Sequence, residues 1–516
     1  MHTLLFDRPA AVGSSLRKTL KTILLLFVGL CAATQMMAQD AGNAQQEAKR
    51  NLQTRMDELR AQMVEIQSEL DAMHGAANLS QAVKNLRPVP EPLQTGAIER
   101  TLPPLPPAVP LSSEQQRAAM GKETMDYETF SAEPEAAPRL YNAPLEPTYP
   151  GFFVLPGTQT MLRLNGSMKS DFIYDPRPAG MPDSFIPSSI PIPSESSPSN
   201  FNVSIRESRF STDFRIPVSN IGTARMFMQF DFFGSNGATT PRLRHAYAQI
   251  ANILVGQTFT NFMDPDAWPD SLDAQGPTPG LNVRLPQARY SFALGKGASG
   301  AVSVEMPNSQ INFSLNGATA VPITPAPDGA LKFRYEWERG HLQVSSVFRE
   351  LAVLLPNGGP QESSFGWGVN VSGTMRVYGR DNIVYQLAYG HGISRYAGDT
   401  GGMGLDATPR TETDLSLRAL PLFGPYIGYQ HWWTRSVRSS ATFGLVHLQN
   451  TEFQPDTTYH KSTYSSANII WNPVGSLSFG AEFLCGWVEE KSGAHADAPR
   501  FQVTGRYAFV KLHRDE

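Results

Sequence analysis

The sequence predicts an all-β protein: a transmembrane antiparallel β-barrel of about 16 strands, preceded by an N-terminal α-helical coiled coil. Three observations carry this expectation. From residue 151 onward, apolar and polar residues alternate with period two through segment after segment, which marks strands with one apolar and one polar face. The apolar face carries aromatics near the segment ends, as the two interfaces of a membrane require: Tyr174, Tyr290, Trp337, Trp367, Tyr389, Trp432, Trp487 and Tyr507. Beyond Ala33 the longest unbroken apolar run is Leu351 to Leu355, so a chain that enters a membrane must do so as strands.

Composition narrows the function classes. The chain has 516 residues, with 43 Lys+Arg against 47 Asp+Glu and a net charge of -4. That balance lacks the basic footprint of a nucleic-acid partner. The 41 prolines exceed ordinary domain usage and imply proline-rich stretches. Only Cys31 and Cys485 are present, and Cys31 lies in a leader, so no disulfide framework is expected.

Arg17, Lys18 and Lys21 precede an uncharged run from Ile23 to Ala33, and Met36-Met37-Ala38 ends on a small residue. These are the charged, apolar and cleavage regions of a secretory signal peptide, placed at 1–38. A membrane anchor would need about 20 apolar residues. A lipoprotein site would want Gly or Ala where Leu30 precedes Cys31.

Residues 45–75 read as a coiled-coil helix. Leu52, Met56, Leu59, Met63, Ile66, Leu70 and Met73 recur at spacings of four and three, flanked by Arg, Glu and Gln, and Gly75 is a helix stop. A single amphipathic helix lying on a domain shows the same stripe. No folded segment adjoins it in sequence, so self-association is the preferred reading, as trimer or dimer. Residues 76–150 form a linker, with thirteen prolines between 80 and 150 and its stiffest part at Pro103 to Pro107. Such a segment builds no core and is an extended, semi-rigid spacer, with a ligand for a proline-recognising partner as the alternative.

In the barrel region, 151–516, Thr160 to Phe172 sets Leu162, Leu164, Met168 and Phe172 against Arg163, Asn165, Ser167, Lys169 and Asp171. Ala224 to Phe232 and Leu331 to Trp337 follow the same scheme, as do Leu477 to Trp487 and Phe501 to Phe509. A β-sandwich also alternates. Charged residues in mid-strand and aromatics at strand ends favour a barrel with a wet lumen. About fifteen strand candidates and the even-number rule give sixteen, and roughly 23 residues per strand with its connection suits spans of about 9–11 residues. The longer connections, Asp175 to Asn200, Thr258 to Gly280 and Gly398 to Thr413, are expected outside the cell.

The succession of signal peptide, coiled coil, proline-rich spacer and barrel resembles the DcaP-like outer-membrane porins. So do Leu155-Pro156-Gly157-Thr158-Gln159-Thr160, Arg163-Leu164-Asn165-Gly166 and Asp171-Phe172-Ile173-Tyr174-Asp175. The most specific stretch is Arg242-Leu243-Arg244-His245-Ala246-Tyr247, then Gly256-Gln257-Thr258-Phe259-Thr260 and Phe262-Met263-Asp264-Pro265. Pro269-Asp270-Ser271-Leu272-Asp273 with Gly276-Pro277 continues it. The resemblance implies a homotrimeric channel in the bacterial outer membrane, in contact with its lipid, with the coiled coil in the periplasm. It also implies diffusion of small anionic solutes such as dicarboxylates. Two features depart from the family: the last aromatic, Phe509, is internal to the final residues, and the spacer is long.

By strand parity the basic residues facing the lumen are Arg163, Lys169, Arg209, Arg215, Arg225, Arg289, Lys332, Arg334, Arg376 and Arg506. Arg242 and Arg244 join them, with Leu243, His245 and Tyr247 as a weaker apolar face. Guanidinium groups match carboxylates through paired hydrogen bonds, which suits an anion ladder. The bland alternative pairs each with a lumen carboxylate (Asp171, Glu207, Asp213, Asp231 or Glu336), which only stiffens the wall. Asp264, Asp266, Trp268, Asp270 and Asp273 lie on a connection that is expected to fold inward as a constriction opposite the basic wall, a surface loop being the alternative.

No cofactor, metal or enzyme activity is expected. Trp268 breaks the EF-hand spacing. The G-x-G-x-x-G match at Gly295 to Gly300 leads into a strand and reads as a turn. A hydrolase assembling His431 or His447 with a serine is the enzyme alternative. The non-enzymatic alternatives are an envelope tether displaying the coiled coil and a sugar-selective porin.

Overall fold

A computed structural model describes residues 152–508, apart from 193–197, 219–221, 235–236, 316 and 357. The leader at 1–38, the coiled-coil core from Leu52 to Met73, the spacer and Phe509 lie outside the described residues.

Sixteen strands close into one antiparallel barrel. They are β1 (Met161–Asp175), β2 (Arg209–Val218), β3 (Gly222–Asp231), β4 (Arg242–Ile250), β5 (Ile253–Phe259), β6 (Arg284–Gly295), β7 (Ala298–Glu305) and β8 (Asp328–Trp337). The second half is β9 (Gly340–Leu354), β10 (Gln361–Tyr378), β11 (Asp381–His391), β12 (Pro421–Trp432), β13 (Val437–Leu448), β14 (Tyr459–Val474), β15 (Leu477–Glu490) and β16 (His495–Ala508). Each strand pairs with its chain neighbours. The ring closes where β1 meets β16, with Lys169 opposite Arg506. Phe153–Val154 continues the β16 line along the start of β1, opposite Leu162 and Met161. Asn200–Ser204 continues β2, and Val321–Ile323 continues β8.

Closure satisfies every ladder within the protein, the condition for crossing hydrocarbon. The pleat then decides what each residue meets. Leu164, Met168 and Phe172 on β1 stand 48–51% exposed, whereas Arg163, Lys169 and Asp171 between them are buried inside. The connections are equally one-sided. At one end strands join through two-residue turns such as 296–297, where Lys296 and Gly297 both take positive φ (50° and 83°), as a type I′ hairpin requires. That turn is the G-x-G-x-x-G match. At the other end run the long connections 176–199, 260–283, 306–327 and 392–420. The second of these begins and ends slightly later than expected, and the fourth is wider at both ends. The third, with its own small hairpin at Ser314–Leu315 and Ala318–Thr319, was not among the expected loops.

Two assignments of face are corrected. His245 and Tyr247 point inward, not onto an apolar outer face, because a bulge at Arg244 sets Gln229 opposite His245 but Phe230 opposite Leu243. The extra residue lets Arg244 and His245 both turn inward. Trp432 also belongs to the inner face, its ring beneath the Arg380 and Arg438 guanidinium groups (3.5 and 5.3 Å). The adjacent Trp433 takes the outer position, 63% exposed.

The outer face yields a stability test. Phe443 on β13 is half exposed to the surroundings of the barrel. A Phe443→Arg change should cost about 2–4 kcal/mol in urea unfolding from lipid vesicles, while Phe443→Leu should shift the midpoint little.

Candidate functional site on the inner wall

The connection 260–283 turns inward, and most of its residues are buried. Glycines on inward positions of the wall make room for it. A Cβ built at Gly368 of β10 would fall 2.9 Å from Phe262, and one at Gly444 of β13 would fall 2.8 Å from Pro279. At Gly480 of β15 it would meet Leu272 at 2.8 Å. Side chains of the loop thus occupy space that any larger wall residue would fill.

Polar contacts fix the loop along its length. Ser345 Oγ and Asn370 Nδ2 donate to the Phe262 carbonyl at 2.7 and 3.1 Å. Gln386 Nε2 donates to the Pro279 carbonyl at 3.0 Å, and Tyr426 donates to the Ala267 carbonyl at 3.1 Å. Glu482 of β15 accepts from the backbone N–H groups of Leu272 and Asp273 at 2.7 and 2.9 Å and from Ser271 Oγ at 3.1 Å. Lys169 of β1 donates to the Leu272 carbonyl at 2.6 Å. The loop therefore spans from the β8–β11 wall to β15 and β1.

The acidic residues of this loop face that wall and are engaged there. Asp264 accepts from Ser372 at 3.0 Å, pairs with Arg334 at 3.2 Å and lies 2.7 Å from His341 Nε2. Burial alone would raise its pKa, but His341 and Arg334 overcome that and hold it at about 2. Asp266 also pairs with Arg334, at 2.9 Å. Asp270 binds Arg438 at 2.6 Å and accepts from Gln430 at 2.9 Å. Trp268 packs edge-on against Tyr426. Asp273 accepts from the N–H groups of Phe185, Gln275 and Gly276. Burial, helped by the nearby Glu482, pushes its pKa up to about 7 against the pull of Arg500. The expected arrangement of loop carboxylates aimed across the lumen at the basic wall is not what the contacts give: Asp264, Asp266 and Asp270 are ion-paired on β8, β9 and β13.

The basic residues gather on the first strands. Arg215 and Arg225 each grip Asp213 through two hydrogen bonds of 2.8–3.2 Å, and Arg163 approaches the same carboxylate at 3.6 Å. Arg209 pairs with Glu207 at 3.1 Å, and Lys169 reaches both Glu207 and Asp171. Arg242 and Arg244 share Asp231 at 2.6 and 2.8 Å. Among the described residues, seven basic side chains of β1–β4 thus share four carboxylates. Arg242 stands at the rim, half exposed, and the five other arginines are 4–7% exposed.

The remaining predicted residues do not join this cluster. Arg289 of β6 bonds Gln287 and the Phe259 carbonyl where the loop begins. Arg334 belongs to the loop's anchorage. Lys332, Arg376 and Arg506 face inward on β8, β10 and β16 by alternation. Sequence reasoning missed Arg349, Arg438 and Arg500, inward and fully buried, bound to Asp406, Asp270 and Asp175. It also missed His341 and Glu482. All five follow the same alternation as the residues that were chosen, so parity carried the signal.

Asp273 gives a pH test. Its raised pKa means that the folded state holds the proton more tightly than the unfolded chain does. This contribution is full below about pH 4 and is lost as pH rises through about 7. Asp273→Asn should remove that component of the pH dependence between pH 5 and 8, read as the thermal midpoint of the folded barrel.

Comparison with known proteins agrees with this architecture. The family model for the DcaP outer membrane protein matches residues 154–509. The crystal structure of the outer membrane channel DcaP of Acinetobacter baumannii superposes with a TM-score of 0.61 at 21% identity, over 69% of this chain and 99% of that one. OmpF of Salmonella typhi, in a complex with daunomycin, gives 0.43 at 11% identity, over 68% and 98%. OmpT of Vibrio cholerae, folded in vitro, gives 0.43 at 11%, over 69% and 99%. A search of curated proteins gave no match. The match over residues 154–509, together with the sixteen closed strands, places this chain in the DcaP outer membrane protein family.

Proposed function

We propose that the barrel is a diffusion channel for small anionic solutes, dicarboxylates first among them, passing along the arginine-rich wall of β1–β4. One observation carries the reading: seven basic side chains gather on the inward face of these four strands, whereas Asp264, Asp266 and Asp270 of the inward loop are held on other strands. Three guanidinium groups converge at Asp213, and a solute carboxylate can meet such groups with paired hydrogen bonds. Lining charge of one sign selects the opposite sign in a water-filled pore. In this reading Arg163, Lys169, Arg209, Arg215, Arg225, Arg242 and Arg244 bind the anion in passage, and Arg289, Arg334, Arg376 and Arg506 add to the field. The loop with Asp264, Asp266, Trp268, Asp270 and Asp273 narrows the lumen. The coiled coil joins three copies in the periplasm.

A second reading, an envelope tether, draws on the apolar filling under the long connections. Phe185, Phe262, Met263, Leu281, Tyr396 and Leu420 form one buried cluster there, as in a barrel that is shut.

The deciding measurement is the reversal potential of the mature protein in a planar bilayer under a salt gradient. Anion selectivity is expected. It should weaken in the Arg209→Gln, Arg225→Gln double variant, in which Glu207 and Asp213 keep other cationic partners. Cation selectivity would overturn the anion assignment, and a folded barrel without conductance would favour the tether.

A further inference from the structure

On the outer face of β11 to β16, a row of polar and charged side chains runs along the barrel at the long-connection end. Cross-strand pairing sets Phe423 beside His447, His447 beside Lys461, Lys461 beside Glu489 and Glu489 beside His495. A bulge at His460 turns that ring outward together with Lys461. His391, the last residue of β11, lies one step higher, opposite Trp367 of β10.

The row sits at the height of lipid headgroups. Ten residues of β14 separate Lys461 from Trp471, the aromatic at the short-turn end of the same face. At about 3.4 Å per residue and a tilt of about 40°, that is roughly 26 Å, the height of the apolar band of a barrel. Between the two levels Ile427, Phe443 and Ile469 stand 49–53% exposed. Trp367, Tyr389 and Trp487, beside the row, are the amphipathic rings of a membrane surface.

Two sets of donors stand there. In the first, His391 stacks on Trp367 with 5.4 Å between ring centroids, and Arg418, from the connection 392–420, is close enough for its charge to act on the His391 ring. Arg418 is partly exposed and makes no side-chain ion pair or hydrogen bond among the described residues. In the second, the His447 and His460 rings lie 4.9 Å apart, and Lys461 Nζ stands 5.3 Å over the Trp487 ring. The acids of this face are engaged: Glu489 holds Lys461 at 3.1 Å, and Asp497 holds Arg177 at 2.5 Å. Among the described residues, Arg418 and the four histidines have no carboxylate partner.

We infer that this row binds the phosphate of a lipid headgroup in the leaflet at the long-connection end, with Arg418 and His391 as one set of donors and His447, His460 and Lys461 as the other. Guanidinium, ammonium and imidazolium groups donate charge-assisted hydrogen bonds to phosphate oxygens, and the rings beside them pack on the upper part of the acyl chains. Charge complementarity selects this occupant, because a headgroup of no net charge or the apolar face of a second copy gives Arg418 no counter-charge. The site uses none of the inward residues and is independent of what crosses the pore.

The test is native mass spectrometry of the full mature chain in a neutral detergent, with dioleoyl phosphatidic acid and dioleoyl phosphatidylcholine added in equal amounts. The wild type is expected to retain phosphatidic acid in preference. The Arg418→Gln, Lys461→Gln double variant should lower that preference about 25-fold, at about fivefold for each base near a membrane surface, with an unchanged thermal midpoint. Glu489→Gln, which frees Lys461, should raise it. Equal retention of the two lipids by the wild type, or a preference that these variants leave unchanged, would overturn the site. Displacement of the lipid by millimolar inorganic phosphate would overturn the lipid assignment in favour of a free anion. A double variant that changes the number of chains in the assembly and leaves the lipid preference intact would assign the face to a second copy instead.

Discussion

A strand that crosses hydrocarbon has no water to take up its backbone hydrogen bonds, so each N–H and C=O must find a partner on a neighbouring strand. In this protein that requirement is met only by closing the ladder of β16 onto β1. Closure fixes the pleat all the way round, and the pleat separates two chemistries residue by residue. Leu164 and Met168 are committed to the outside because Arg163 and Lys169 are committed to the inside. The charged interior is the counterpart of the apolar exterior, and the long connections at one end are free to fold into it.

The interior divides by the partners that its charges find. On β8 to β16, inward groups such as Arg334, Arg438 and Glu482 are spent on the loop 260–283, and glycines at 368, 444 and 480 give its side chains space. On β1 to β4 the basic side chains crowd together instead. Asp213 is shared by three guanidinium groups, and Asp231 by two. This clustering, more than the number of arginines, distinguishes the two walls.

Alternation by itself determined the strands and which residues face outward and which inward, and the interruptions between strands marked three of the four long connections. It did so because a membrane strand obeys a local rule: period two holds without knowledge of neighbours. The rule failed where a neighbour intervened. At Arg244 the register with β3 slips by one residue and brings His245 and Tyr247 inside. At Trp432 the apolar ring takes an inner position beneath Arg380 and Arg438. The candidate basic residues could be named from parity, but not their partners. Asp270 meets Arg438 across 168 residues of sequence, and Glu482 meets the backbone of a loop 210 residues away. Which carboxylate neutralises which arginine depends on where the loop lies inside the ring, and only the tertiary structure decides that. Facing is a property of one strand. Pairing across the lumen is a property of the closed barrel.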